Sequence, residues 1–450
     1  MIKTFLAIIV VATLSLLAFA QTKIVIDESS RASLAIPDFR GAGAAGPVTG
    51  VFNATVFAEL QNSGLFRMVA KTVMPLQIPQ QPSDFHPPAT TAEAGRGTWL
   101  SDWSNPPAAA NYLAFGYTAV KDNGLVLFGW LYDVRRTDPS GAQMLGKPYF
   151  GTLDELGARK VAREFAADII KLSGGKSLVG SKIYYASDRT GHKEIWSMDY
   201  DGTNQKQFTA YGSISTFPAV SPDGTKIAFT SYVRGNPDIF VHSLETGRKL
   251  PFYNQRASMN AASDFTTDSR HLLFYSTAGG SFSQVYMADA DGGNLRRISQ
   301  SRSIDVEPKV NPKNNAEIVF VSDRSGLPQI YMMNGDGVNV SRLTSGDGEA
   351  VNPCWNPDGQ HIAFAWTKGF EPGHYNIFVM DVASRYITQL TSGDARNENP
   401  AWGPDGAHLA YSSKRGRSTE IWTMLADGTG ARQLTTAGNN EKPVWSKATN

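Results

Sequence analysis

The chain has 450 residues, with 42 lysines and arginines against 41 aspartates and glutamates and a formal net charge of +1. That length exceeds what one hydrophobic core supports and predicts two or three domains, and the balanced charge excludes the basic excess that marks a nucleic-acid binder. A lone cysteine, Cys354, excludes an intramolecular disulfide.

Met1-Ile2-Lys3, an apolar run over residues 5–20 and the closing Ala18-Phe19-Ala20 have the layout of a secretory signal peptide, residues 1–20. The run is shorter than the ~20 apolar residues of a spanning helix, so no direct membrane span is expected. The mature chain is expected to be exported from Gln21, without lipid attachment, since no cysteine stands at the cleavage point.

Residues 21–175 predict an α/β domain. Residues 22–27 and 33–38 read as short strands, and residues 51–61 as a helix stopped by Gly64. From 79 to 107 the chain is rich in Pro, Ala, Thr and Gly, and no regular structure is expected. Residues 112–117 and 125–133 flank Asp122-Asn123-Gly124, a hairpin signal. Val161, Phe165, Ile169 and Leu172 share one face of a helix over 153–172, which Ser173-Gly174-Gly175 ends. Gly41-Ala-Gly43-Ala-Ala-Gly46 spells a dinucleotide fingerprint. The strand before it is broken at Pro37, however, Pro47 follows at once, and no βαβ unit carries an acidic residue beyond it. A flexible loop is expected there, and no cofactor.

Over residues 180–450 a unit of roughly 45 residues recurs six times, the period and patterning of a β-propeller. Each unit has an apolar strand, as in Ile183-Tyr-Tyr-Ala-Ser-Asp-Arg or Ile318-Val-Phe-Val-Ser-Asp-Arg. A second follows, as in Glu194-Ile-Trp-Ser-Met-Asp or Gln329-Ile-Tyr-Met-Met-Asn, and then a short outer strand ending in Phe208-Thr209, Leu343-Thr344 or Leu434-Thr435. A strand such as Pro353-Cys-Trp-Asn-Pro-Asp-Gly precedes five of the six units. The first unit lacks one, and a spare copy, Lys442-Pro443-Val444-Trp445, lies near the C-terminus. The expected fold is an α/β N-terminal domain followed by an all-β six-bladed propeller, its C-terminal strand closing the first blade and removing open edges. Cys354, beside Trp355, is expected as a small buried residue.

Asp199-Tyr-Asp201-Gly202, Asp289-Ala-Asp291-Gly292 and Asn334-Gly-Asp336-Gly337 resemble the start of a calcium loop but lack its closing glutamate. Falling at one point of each repeat, they are expected as Asp-Gly turns, as are the Pro-Asp-Gly sets at 222–224, 357–359 and 404–406. There is no G-x-S-x-G elbow and no spare length for a hydrolase domain. The seven histidines, at 86, 192, 242, 271, 361, 374 and 408, have no metal-binding spacing. No catalytic residue, cofactor or metal is expected.

Over essentially the whole mature chain the sequence resembles the TolB family. The likeness is carried by Lys23-Ile-Val-Ile-Asp27, Ala58-Glu-Leu-Gln-Asn-Ser-Gly-Leu-Phe66, Lys182-Ile-Tyr-Tyr-Ala-Ser-Asp188, Asp199-Tyr-Asp-Gly-Thr-Asn-Gln205 and the repeated Pro-x-Trp-x-Pro-Asp-Gly. The resemblance implies a monomeric, non-enzymatic periplasmic scaffold of the Tol–Pal system. Such a scaffold binds the lipoprotein Pal on one propeller face and the protein TolA through the mature N-terminal segment, keeping the outer membrane tied to the cell wall and drawn inward at division. The family's Pal site lies in loops leading into the innermost strands. Carried over, it falls on Ser215, Thr216, Met259, Asn260, Val306, Glu307, Val351, Asn352, Glu398, Asn399, Glu441 and Lys442. The TolA segment falls on Thr22, Lys23, Ile24, Val25, Ile26 and Asp27, an alternating stretch able to add to a sheet edge. Thr267-Asp268-Ser269 and Pro312-Lys-Asn-Asn315 depart from the Pro-Asp-Gly pattern, and Gln21 replaces the family's acidic residue. The alternative is a propeller that binds or hydrolyses a small ligand in its central channel, marked by clustered buried carboxylates or a metal.

Overall fold

A computed structural model of the chain describes residues 31–90 and 95–448. The signal peptide expected at 1–20 and the segment Thr22 to Asp27 lie outside the described residues.

The N-terminal region is one mixed sheet with its two long helices on one side. Strand β1 (Ala32–Ala35) runs parallel between β3 (Phe66–Met68) and β4 (Tyr112–Lys121), and β2 (Arg40–Gly41) also pairs with β4. Strands β5 (Gly124–Asp133) and β6 (Gln143–Thr152) continue the sheet antiparallel. Helices α1 (Gly46–Asn62) and α4 (Glu155–Leu172) cover one face, where Phe52, Val56, Leu60, Leu127, Val161, Phe165 and Ile169 form a closed core. Trp103, Phe115 and Tyr132 build a second core on the other face, beneath the segment that carries α2 (Leu100–Ser104). The short α3 (Pro139–Ala142) precedes β6.

Three expectations are corrected here. The strand expected over 33–38 stops at Ala35, two residues before the donor-less Pro37. The glycine-rich stretch is ordered: Gly41 pairs with β4, residues Gly43–Ala45 make a 3-10 turn, and α1 starts at Gly46, where Pro47 suits a first turn. A Cβ at Gly41 would lie 2.2 Å from Thr49 Oγ1, so that glycine permits a close approach. Residues 79–107 hold a 3-10 turn (Pro82–Asp84) and α2, whose Asp102 accepts the N–H groups of Gly95, Gly97 and Trp99 at 2.8, 2.9 and 3.2 Å. The expected hairpin forms, turning on Asp122 and Asn123 at φ 51° and 59°, with Gly124 already paired with Lys121.

Residues 182–445 form six four-stranded antiparallel blades. Blade one consists, from the inside out, of Asn440–Trp445, Lys182–Ser187, Glu194–Asp199 and Lys206–Gln207, so the C-terminal strand closes the ring as expected. Asn440 pairs with Ser187 and Trp445 with Ile183.

The repeated apolar-Thr pair has a structural cause. Thr209, Thr344 and Thr435 each accept the N–H of an isoleucine in the third strand, Ile195, Ile330 and Ile421, at 2.9 Å. Thr344 and Thr435 then donate to Gln329 and Glu420 at 2.8 and 2.6 Å. Blade two substitutes Asn254, which takes the N–H of Ile239 at 2.8 Å. The turn aspartates also recur in role: Asp223, Asp268, Asp358 and Asp405 accept the N–H two residues on at 2.9, 3.0, 2.7 and 3.0 Å. The departures from Pro-Asp-Gly keep this geometry, with Ser269 and Asn315 taking the glycine's positive φ, 59° and 52°. Adjacent blades are tied by indoles, Trp355 Nε1 donating to Lys309 O at 3.1 Å and Trp445 Nε1 to Ala401 O at 3.0 Å.

The N-terminal domain sits on the propeller face where the innermost strands end. Arg31 pairs with Asp427 at 2.8 Å, Arg163 bridges Glu59 and Asp201, and Tyr200 donates to Glu59. The opposite face, where the innermost strands begin, is left clear by the described residues of that domain. No helix of the described residues is long and apolar enough to cross a membrane.

Candidate functional site at the channel mouth

Each innermost strand is bulged: Ser215–Val220, Asn260–Phe265, Asp305–Val310, Ala350–Trp355, Arg396–Trp402 and Asn440–Trp445 all shift register against the second strand. A bulge leaves one residue out of the ladder and re-aims its side chain. In five blades that residue precedes a proline and takes the left-handed region: Phe217 at φ 53°, Glu307 at 53°, Asn352 at 53°, Asn399 at 52° and Lys442 at 56°. Blade three has Ala262 before Ser263 at this position. A positive φ strains Phe, Glu and Lys by about 1 kcal/mol or more each, and strain that recurs at one height of a fold points to use.

The six positions ring the mouth of the central channel. Asn352 donates its main-chain N–H and its Nδ2 hydrogens to the Glu307 carboxylate at 2.9 to 3.0 Å. Asn399 N–H donates to Asn352 Oδ1 at 3.2 Å, and Lys442 Nζ donates to Asn399 Oδ1 at 3.3 Å. The same ammonium stands 4.1 Å from the centre of the Phe217 ring, which meets Tyr275 edge-on at 6.0 Å. A continuous chain of contacts thus runs from blade four through five, six, one and two to Tyr275 of blade three. It leaves a polar arc on one side and Phe217, Ala262 and Tyr275 on the other.

Behind this ring is a cavity of about 100 Å³, also lined by Lys309 and Cys354. Burial holds the Asp264 carboxyl above the usual range, although the Lys309 ammonium and the Val310 N–H, at 2.9 Å, favour its charged form. Burial, and next the charge of Glu307, pushes the Tyr275 phenol well up. Cys354 is half-buried on the channel wall, where a small buried residue was expected. Burial raises its thiol, so little reactive thiolate is present. Among the described residues no group of three or more His, Cys, Asp or Glu is placed to hold a metal ion.

Of the residues singled out by sequence, Glu307, Asn352, Asn399 and Lys442 meet in this ring. Val306 and Val351 stand one residue earlier and pack between blades. Glu398 pairs with Arg396, and Glu441 with Lys193 at 2.7 Å, on the rim. Ser215, Thr216 and Asn260 are buried instead of facing the mouth. Ser215 Oγ donates to Ser231, and Asn260 Oδ1 accepts from Ser276 at 2.7 Å. Met259 is half-buried and donates its N–H to Thr277 Oγ1 at 3.1 Å. In blades two and three the ring positions are Phe217 and Ala262, which sequence reasoning missed. The signal for Phe217 was its place directly before Pro218, matching Glu307 before Pro308.

A family model described as the TolB beta propeller domain matches residues 169–369 and 343–450. A "Protein TolB homolog" of Chlorobium chlorochromatii is 34% identical over 214 residues, 47% of this chain and 46% of that protein. The "Tol-Pal system protein TolB" of Bordetella pertussis is 29% identical over 277 residues, 60% of this chain and 57% of the relative. The chain therefore spans about half the length of the curated relatives it matches. The crystal structure of TolB from Acinetobacter baumannii superposes with a TM-score of 0.73 at 22% identity, over 93% of this chain and 97% of the other, and so shares the fold.

Proposed function

The chain belongs to the TolB β-propeller family, and from that premise we propose that it is a non-catalytic protein-docking scaffold of a Tol–Pal system, taking the lipoprotein Pal at the channel mouth. The observation that carries this reading is the ring Glu307–Asn352–Asn399–Lys442, built at a cost in backbone strain on the face that the described residues of the N-terminal domain leave clear. A rigid disc with polar groups around its mouth suits a protein surface. The cavity behind it, about 100 Å³, is small beside the ~300–1,000 Å³ of small-molecule sites, which weighs against the channel-ligand alternative. TolA would engage the segment Thr22 to Asp27, the protein would act in the periplasm after removal of residues 1–20, and its role would be outer-membrane integrity and constriction at division.

The test is calorimetric titration of residues 21–450 with the soluble domain of the same organism's Pal. Saturable one-to-one binding, abolished by Asn352→Ala with Asn399→Ala in a variant that keeps its wild-type circular dichroism, is the expected result. Absence of any complex between two folded proteins overturns the assignment and returns attention to a channel ligand.

A further inference from the structure

Where the two domains meet, the imidazole of His408 stands between acceptors from different domains. Its Nδ1 meets Oδ2 of Asp405 on its own turn of blade six, and its Nε2 lies 2.8 Å from the main-chain oxygen of Asn62, the last residue of α1. A carbonyl oxygen can only accept. Asp405 is held as a carboxylate by the N–H groups of Ala407 and His408, at 3.0 and 3.1 Å. Both ring nitrogens must then donate, which only the imidazolium can do. The last carbonyls of a helix lack intrahelical partners and carry the negative end of its dipole, so a cation is favoured there.

We propose that His408 is a protonation-controlled clamp, which ties the C-terminus of α1 to blade six while charged and releases the junction between the domains, without unfolding either, when it loses its proton. The proposal is independent of which partner docks at the channel mouth.

The charged groups around the ring come from each element at the junction. Asp405 shares its turn, Arg432 comes from the outer strand of blade six, Glu59 lies nearly a turn back on α1, and Lys176 belongs to the linker. Asp201 and Arg163 pair across the same junction. Burial opposes the charge on His408, but Asp405 and the Asn62 oxygen outweigh it and hold its pKa above that of an ordinary histidine, against a smaller opposing effect of Arg432. A folded-state pKa raised in this way adds stability that is fully present below the unfolded value of ~6.5 and is lost as pH rises through the folded value. Once neutral, the ring keeps its one N–H on the buried carboxylate, and the Nε2 lone pair then faces the lone pairs of the Asn62 oxygen. The ion pairs of Arg31 with Asp427 and of Arg163 with Asp201 remain as the hinge.

The experiment uses residues 21–450 with 15N-labelled histidine. Ring nitrogen shifts and hydrogen exchange of residues 59–64, corrected for intrinsic rate, are followed from pH 5.5 to 9 in the wild type, His408→Gln and Asp405→Asn. The expected result is a doubly protonated His408 ring near neutral pH. Wild-type protection should fall about tenfold or more, the worth of one hydrogen bond to a charged group, as that ring titrates. His408→Gln should show no such step, and Asp405→Asn should move it to lower pH. A ring that carries one proton already at pH 6, or wild-type protection that parallels His408→Gln throughout, overturns the clamp. Should His408→Gln not fold, the displaced midpoint in Asp405→Asn decides, an unmoved midpoint counting against it.

Discussion

The side chain of Asn352 accepts the main-chain N–H of Asn399 at 3.2 Å and gives its own Nδ2 hydrogens to Glu307 at 2.9 Å, so a single amide spans three blades at the channel mouth. Its backbone, at φ 53°, suits asparagine or glycine better than any β-branched residue. Asn352→Gly should therefore lose only the bridge, about 1–2 kcal/mol. Asn352→Val should lose about 1–2 kcal/mol more through strain. Urea unfolding of the two variants measures both, and equal losses would show that the backbone at 352 is not strained.

Two turn glycines with similar backbones should respond differently to alanine. Gly191, at φ +98°, has nothing within 4 Å of the position of a Cβ, whereas at Gly337, at φ +90°, a Cβ would lie 2.0 Å from the main-chain oxygen of Ile298 in the preceding blade. Gly191→Ala is expected to cost about 1–2 kcal/mol from conformation alone, and Gly337→Ala a further ~1–3 kcal/mol from overpacking. Thermal unfolding compares them directly, and a Gly337 variant as stable as the Gly191 variant contradicts the tight blade contact.

Thr344 joins the outermost two strands of blade four by accepting from Ile330 N–H and donating to Gln329, all within buried surroundings. Thr344→Val keeps the volume and leaves both partners unsatisfied, for a predicted loss of about 1–3 kcal/mol. Thr344→Ser should recover most of it. A valine variant that unfolds at the wild-type urea midpoint would mean that the repeated threonine is not structural.

The turn aspartates set the acid limit of the propeller. At Asp358, burial alone would raise the carboxyl, but the His361 ring nitrogen at 2.7 Å and the N–H groups of Gln360 and His361 outweigh it and hold the pKa below the usual range. At Asp223 and Asp405 burial is likewise outweighed, by Ser221 with Thr225 and by His408, while Asp268 is lowered chiefly by the Thr266 hydroxyl. A lowered folded pKa gives stability that is present above the unfolded value of ~3.9 and is lost as pH falls through the folded one. Asp358→Asn should consequently flatten the fall of unfolding free energy on the acid side of that value. Denaturant titrations at a series of acid pH values test this, and an unchanged slope would remove Asp358 from the acid limb.

Six blades can be read from the sequence because every repeat carries two apolar strands and an Asp-Gly or Pro-Asp-Gly turn, and four of them an apolar-Thr pair that Asn254 and Ser299 replace in blades two and three, each with a bonding role found in the fold. Strand β6 could not be read, because Gly146 and Pro148 interrupt its alternation. Gly146 is there for packing, since a Cβ on it would lie 2.6 Å from the Trp130 ring. The channel ring was legible in the blades where counting back from proline lands on Glu307, Asn352, Asn399 and Lys442. In blades two and three, Ser215, Thr216 and Asn260 look like exposed polar residues. They lie on strands buried on both faces, and a bulge of one residue exchanges inward and outward positions. The aromatic Phe217 and the small Ala262 carry no polar signature to draw attention to them.

The pairing of Asn440 with Ser187 also fixes an order of events in time. Arg189 and Asn440, hydrogen-bonded at 2.9 Å in the finished ring, are 251 residues apart in the chain. A chain that emerges from its N-terminus can complete blades two to six in succession. Residues 182–187 must wait with one edge bare until residues 440–445 arrive, the kind of distant contact that slows folding and leaves intermediates exposed to aggregation. The first blade to be synthesised is thus the last to be finished, and any product shortened before residue 440 keeps an open strand by which proteolysis can single it out.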